Sequence, residues 1–358
     1  MMTPAPENTK QSSVILADWA DYWQGVKTGP VFTAIAEPTY RQSLDVLNPD
    51  LDAFAEAAVE SLTADRESES PVLPALFCDF GTISTARLYG GRVIPPPEGG
   101  CLHIEPMAKT PADLADLQAC SFEESDFRMA VDLWKKVCDR LGTDDVFLHT
   151  PDFQGPMNTL ALVMDQQELL IGMYTEPDAI HTALENITST LINYHQRLRR
   201  ELGGGKVIGS IWPYTFLPEH LGASITQDMM PLLSPELYRD FEVPQLKRIA
   251  EAFGGVQIHC CGKYAQHLEV LKESGIEIRG LEFHHPFTQF ADIHAVFGDD
   301  IVYIPYLFDD CDDYQDYIEF AASLLGQGTA DTRFWFAMAE GWTDGDKMSE
   351  LVRQHGEH

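Results

Sequence analysis

The residues best suited to chemistry lie in Val256-Gln257-Ile258-His259-Cys260-Cys261-Gly262, an apolar-led run that ends in an imidazole, two thiols and a glycine. This pattern predicts a short buried strand closed by a turn. Side chains alternate along a strand, which puts His259 and Cys261 on one face and Cys260 on the other. Imidazole and thiolate side by side are zinc-type donors, each able to sit about 2.0–2.3 Å from a shared ion. The same residues also suit a plain core, because a free Cys packs as a small hydrophobe. A metal site therefore needs further donors.

Two carboxylates are placed to supply them. Glu282 lies in the apolar run Leu281-Glu282-Phe283, and Glu340 directly follows the strong strand signal from Phe334 to Ala339. If these runs are successive parallel strands, their carboxyl ends share one rim, where His259, Cys261, Glu282 and Glu340 converge.

The elements that must position them follow an alternating rhythm. After a first strand at Val31 to Ala36 and a helix at Leu51 to Leu62 come strand signals at Val72 to Phe77, Leu102 to Pro106, Asp145 to His149 and Lys206 to Trp212. Amphipathic helices are expected from about Phe127 to Leu141, and from about Thr175 to a stop at Gly203-Gly204-Gly205. The stretch from Pro213 to Met230 reads as a long connection, of the kind that forms lids or substrate walls. Ser234-Pro235-Glu236 is a helix start, with an N-cap followed by Pro at the first helical position. Strands at Ile278 to Phe283, Ile301 to Phe308 and Arg333 to Ala339 then alternate with short helices.

About eight strands in βα units predict a parallel sheet closed into a single (β/α)8 TIM barrel, with reactive residues at the carboxyl ends of its strands. That rule adds Glu37, Asp79, Glu105, Asp152, Tyr214, His284 and Asp309 to the rim. Residues 1–30 read as an N-terminal extension and residues 31–358 as one barrel domain.

The formal charge of −32, from 56 acidic against 24 basic residues, disfavours nucleic acid and anionic membrane as partners, since counterion release needs clustered Lys and Arg. So acidic a surface is strongly hydrated and suits either an ordinary cytosolic enzyme or a high-salt habitat. No window holds the roughly 20 apolar residues of a membrane span, and Met1 to Ser13 lacks the order of a secretion signal, so a cytoplasmic protein is expected. Seven scattered Cys fit a reducing compartment and no disulfide framework.

Longer motifs carry a family likeness. The run from Gly155-Pro156 to Leu170, Tyr174-Thr175-Glu176-Pro177, Gln227-Asp228, Leu233-Ser234-Pro235-Glu236-Leu237-Tyr238, Val243-Pro244 and His259-Cys260-Cys261-Gly262 together resemble the uroporphyrinogen decarboxylase superfamily, from about residue 70 to the end. The resemblance implies a (β/α)8 barrel. It also implies one of two chemistries: porphyrinogen decarboxylation, or zinc-dependent methyl transfer between a corrinoid protein and a thiol. His259 and Cys261 match the first half of the methyltransferase zinc motif, and Glu340 stands where that motif places its distant Cys. Cobalamin-independent methionine synthases also follow His-x-Cys with a Glu, a place that Glu282 resembles; Cys311 is a rival third ligand.

The Arg-Gln-Ala-Gly-Arg motif of the decarboxylases is not found, although Asp79 in Phe77-Cys78-Asp79-Phe80 resembles their catalytic aspartate. The leading expectation is a zinc methyltransferase acting on a small-molecule thiol or similar acceptor, with methyl-cobalamin on a partner protein as donor. His259, Cys261 and Glu340 would hold Zn2+, with Glu282 beside them. Asp79, Tyr214 and His284 would be catalytic, and Asp152 and Asp228 would contact substrate. One alternative is a decarboxylase or lyase in which Asp79 stabilises a developing cation. Another is a barrel without turnover that binds a small ligand or a corrinoid protein.

Overall fold

A computed structural model describes residues 12–35, 47–67, 72–95, 102–209, 215–308, 310–339 and 343–356. Its strands are β1 (Val31–Ile35), β2 (Ala75–Leu76), β3 (Val93–Ile94), β4 (His103–Ile104), β5 (Phe147–His149), β6 (Val207–Gly209), β7 (Leu217–Pro218), β8 (Ala223–Thr226), β9 (Val256–His259), β10 (Ile278–His285), β11 (Val302–Leu307) and β12 (Arg333–Ala339). Six form one sheet in the order β1-β12-β11-β10-β9-β8, parallel at every pairing. Four more form the sheet β2-β5-β6-β7, in which only β6 and β7 run antiparallel. A parallel bridge from Gln154 to Thr226 joins the exit of β5 to the end of β8. These ladders establish a mixed α/β fold with a parallel sheet. Among the described residues no ladder joins β1 to β2, and no helix is long and apolar enough to cross a membrane.

A parallel sheet is covered on both faces, so its strands read as nearly unbroken apolar runs. Val302 to Ile304 and Phe334 to Ala337 are all buried. The covering helices bury one stripe each: Ile180, Leu184, Ile187, Leu191 and Leu198 along Pro177–Glu201, and Phe127, Val131, Trp134 and Cys138 along Asp126–Leu141. The latter helix stops at Gly142, whose φ of 67° is the left-handed conformation that glycine adopts without strain.

The segment before β1 is tied firmly to the sheet. Helix Ser12–Trp23 stacks Trp19 on Trp335 with ring centroids 4.0 Å apart. Below it the nearly buried Arg333 donates to four carbonyls: those of Tyr22 (2.9 Å), Trp23 (3.1 Å), Asp299 (3.2 Å) and Asp300 (2.6 Å).

Several expectations are corrected. The described part of the supposed loop from Pro213 to Met230 contains β7 and β8, and β8 is buried at every residue. Its polar residues are satisfied from neighbouring strands: Ser224 Oγ and Thr215 Oγ1 both donate to Gln257 Oε1, at 2.9 and 2.8 Å. Gly222 allows the backbones to close, because a Cβ there would meet Gly255 O at 2.8 Å.

The helix expected from about Thr175 is Pro177–Glu201, and a separate helix, Gln166–Thr175, precedes it; the two part at Glu176, where the following Pro disfavours helical backbone. Val93 pairs antiparallel with Ile104. Strand β10 runs two residues past its expected end, carrying His284 and His285 to the rim.

Candidate metal centre

Three adjacent parallel strands deliver the site. Beyond the last residue of β8, Gln227 N donates to His259 O at 2.8 Å, so the β8–β9 ladder carries on to the position before Asp228. His259 ends β9, and Cys261 lies in the turn after it. That turn is held by Asp228, whose Oδ1 accepts from Cys261 N at 2.9 Å and stands 3.7 Å from His259 Nε2. Cys260 is buried and Cys261 exposed, as strand alternation predicts. On β10, Glu282 and His284 share the face turned toward His259.

Glu282 is completely buried between two imidazoles. Its Oε2 lies 2.9 Å from His259 Nδ1 and its Oε1 lies 3.1 Å from His284 Nε2. The contact to His259 pairs a buried imidazole with a buried carboxylate, whereas His284 Nδ1 is buried with no hydrogen-bond partner. Burial acts to raise the Glu282 carboxyl, but the His259 and His284 rings outweigh it and hold it below its ordinary value. Burial acts to lower His259, and Glu282, helped by Cys261 and Asp228, outweighs that and raises it. The pair is therefore favoured as imidazolium and carboxylate.

Asp152 faces the same space from the exit of β5. Its Oδ2 accepts from Gln154 Nε2 at 2.6 Å and its Oδ1 from Thr226 Oγ1 at 3.2 Å. Burial pushes its carboxyl up to about 6, Gln154, His259 and Thr226 pull against that, and nearby Asp79 adds an upward push. Asp79 Oδ1 itself accepts from Gly81 N at 2.8 Å, which fixes the turn after β2.

The structure thus gathers Asp228, His259 and Cys261 into one group and His259, Glu282 and His284 into another, each with ligand atoms within 4.8 Å of one another. Asp79 and Asp152 adjoin them. Imidazole, thiolate and carboxylate form a chemically sound donor set for zinc.

Tyr214 and Glu340 lie outside the described residues, as do Glu37 and Asp309. Glu105 is exposed and pairs with Arg92 at 2.8 Å, away from this site. Cys311 groups with His285 and Asp313, not with His259. Sequence reasoning placed Asp228 against substrate and missed its hold on Cys261 N. The signal was the strand that precedes it.

No family model matches the chain, and no curated protein does. Among solved structures, a methyltransferase from Methanosarcina mazei superposes with a TM-score of 0.64 at 16% identity, over 96% of this chain and 98% of that one. A protein assigned as a vitamin-B12-independent methionine synthase from Listeria monocytogenes superposes with a TM-score of 0.49 at 12% identity, over 92% and 98%. The first likeness shows a shared fold over nearly the whole length of both chains.

Proposed function

We propose that the chain is a zinc-dependent methyltransferase on a closed (β/α)8 barrel, acting in a reducing compartment on a thiol or similar acceptor, with a methylated corrinoid on a partner protein as donor. The observation that carries this reading is the meeting of the Asp228 carboxylate, the His259 imidazole and the Cys261 thiol at the ends of neighbouring strands. The fold shared with a protein named as a methyltransferase supports it.

In this reading His259 Nε2, Cys261 Sγ and Asp228 hold the ion, and Glu340 is the further donor expected from the sequence. Zinc held there lowers the pKa of a bound thiol, so that thiolate is present near neutral pH. Glu282 sits on the far side of the His259 ring, where a carboxylate fixes the tautomer and raises the basicity of a ligating imidazole. Asp228 also holds the Cys261 backbone and so sets where the sulfur stands. Asp79, Asp152 and His284 shape the acceptor side, and Asp152, with its raised affinity for a proton, is suited to exchange one with the acceptor.

The charges that act most strongly on Asp152, His259 and Glu282 come from Asp, Glu and His residues, not from Lys or Arg. A substrate with many carboxylates would meet repulsion there, which disfavours porphyrinogen decarboxylation.

The test is metal analysis of purified, untagged protein together with methyl transfer from methylcobalamin to a thiol. His259→Ala should lose about one equivalent of zinc and the activity, whereas Glu282→Gln should keep the site with zinc affinity weakened about 10–100-fold. Unchanged zinc content in His259→Ala would overturn the reading.

A further inference from the structure

We propose a second cation site, for zinc or another thiophilic divalent metal, made by His285, Cys311 and Asp313, which fastens the loop after β11 to the rim of the sheet. It does not depend on the reading of the first centre. His285 is the last residue of β10, and strand alternation turns its ring away from the face that carries Glu282 and His284. Cys311 and Asp313 come from the segment between β11 and helix Tyr317–Leu325. The ligand atoms of the three residues lie within 4.8 Å of one another.

The hydrogen bonds around His285 explain why a cation belongs there. Gln289 Nε2 donates to Pro286 O at 2.9 Å, which fixes the orientation of the amide. Its Oε1 is thereby turned to His285 Nδ1 at 3.0 Å, so Nδ1 carries the hydrogen and donates. In the neutral ring Nε2 then presents its lone pair, and it points at Asp313 Oδ2 only 2.8 Å away. Two acceptors at that distance repel unless a positive charge lies between them.

A proton can fill that role, and the Cys311 sulfur within the same reach adds the soft donor that makes the trio suit a thiophilic metal. An outer hydrogen bond on the non-ligating nitrogen is also the usual support of a metal-bound imidazole. The ring is nearly buried and flanked by Tyr314 and Phe320, with centroids 5.3 and 5.5 Å away, so its direction is set before any ion arrives.

The consequence reaches the first centre through Phe308. Its N donates to His285 O at 3.1 Å, its O accepts from Cys311 N at 3.0 Å, and its ring lies 6.0 Å from that of His284. An ion tying Cys311 and Asp313 to His285 would hold Phe308 beside His284.

The experiment strips the full chain with chelator, restores zinc, removes the excess and compares metal content and limited proteolysis between wild type and Cys311→Ser. The expected result is a loss of about one equivalent of zinc in the variant, with faster zinc-protected cleavage in the loop after β11. His259→Ala/Cys311→Ser should lose about one equivalent more than either single variant. Asp313→Asn, checked by circular dichroism, guards against misfolding of the first variant and should weaken the same equivalent. Equal zinc content in wild type, Cys311→Ser and Asp313→Asn would leave only a proton between His285 and Asp313 and would overturn the proposal. Failure of the first centre would instead show in His259→Ala alone.

Discussion

Glu242 should make the fold less stable as pH rises, and replacing it by Gln should abolish that loss. The residue is buried at the end of the π-helical turn Tyr238–Glu242. Its Oε1 accepts from Gln227 Nε2 at 2.8 Å, while Tyr238 OH donates to Gln227 Oε1 at 2.6 Å. The two together clamp the residue before Asp228. Glu242 Oε2 has no partner, and burial raises the carboxyl from 4.5 to about 8.

Because the folded state binds this proton more tightly than the unfolded chain, its contribution to stability is complete below about pH 4.5 and is lost as pH rises through about 8. At about 1.4 kcal/mol for each tenfold in proton affinity, the whole loss has a ceiling of about 5 kcal/mol. Between about pH 5 and about pH 7 the wild type should lose about 2–3 kcal/mol from this group alone.

Gln keeps the oxygen that accepts from Gln227 and cannot ionise. Any fixed cost of its amide nitrogen cancels when one protein is compared at two pH values. Urea unfolding of wild type and Glu242→Gln at both pH values gives the quantity directly. The variant's stability relative to wild type should rise by about 2–3 kcal/mol on going to the higher pH. A relative stability constant to within about 0.5 kcal/mol would refute the reasoning, because the background repulsion of an acidic protein acts on both chains alike.

Other perturbations test the fold and its charge. Raising salt from about 0.1 M to about 1 M shortens the screening length from about 10 Å to about 3 Å, so a chain with a formal charge of −32 should melt at a higher temperature, and an unchanged melting temperature would show that self-repulsion is unimportant. Arg333→Met should cost about 3 kcal/mol or more in urea unfolding, because four carbonyls lose a charged donor; a cost under about 1 kcal/mol would mean that those carbonyls find other partners.

What the sequence showed and hid follows from where each residue finds its partners. The β9 turn was legible because Val256, Gln257 and Ile258 lead without interruption into His259, Cys260, Cys261 and Gly262. The helices Asp126–Leu141 and Pro177–Glu201 were legible because each buries a stripe at helical spacing. Strand β8 was not, because Ser224 and Thr226 read as loop residues until Gln257 and Asp152 are brought opposite them. His285, Cys311 and Asp313 were unreadable as a group for the same reason. Nothing local in the chain announces that the end of β10 meets the loop after β11.

The acidity of the chain and the chemistry of the site are one physical fact at two ranges. Exposed carboxylates act beyond contact distance only until salt screens them, so they raise the local concentration of cations without choosing among them. Under the proposed function the choice would be made where Asp228, His259 and Cys261 meet, since a purely carboxylate cage suits hard ions and a sulfur donor suits zinc. In the absence of an ion, the His259–Glu282 pair carries its own positive charge, so the buried carboxylate never stands unpaired. In the proposed reading His259 Nε2 would hold the ion, while Nδ1 would stay facing Glu282.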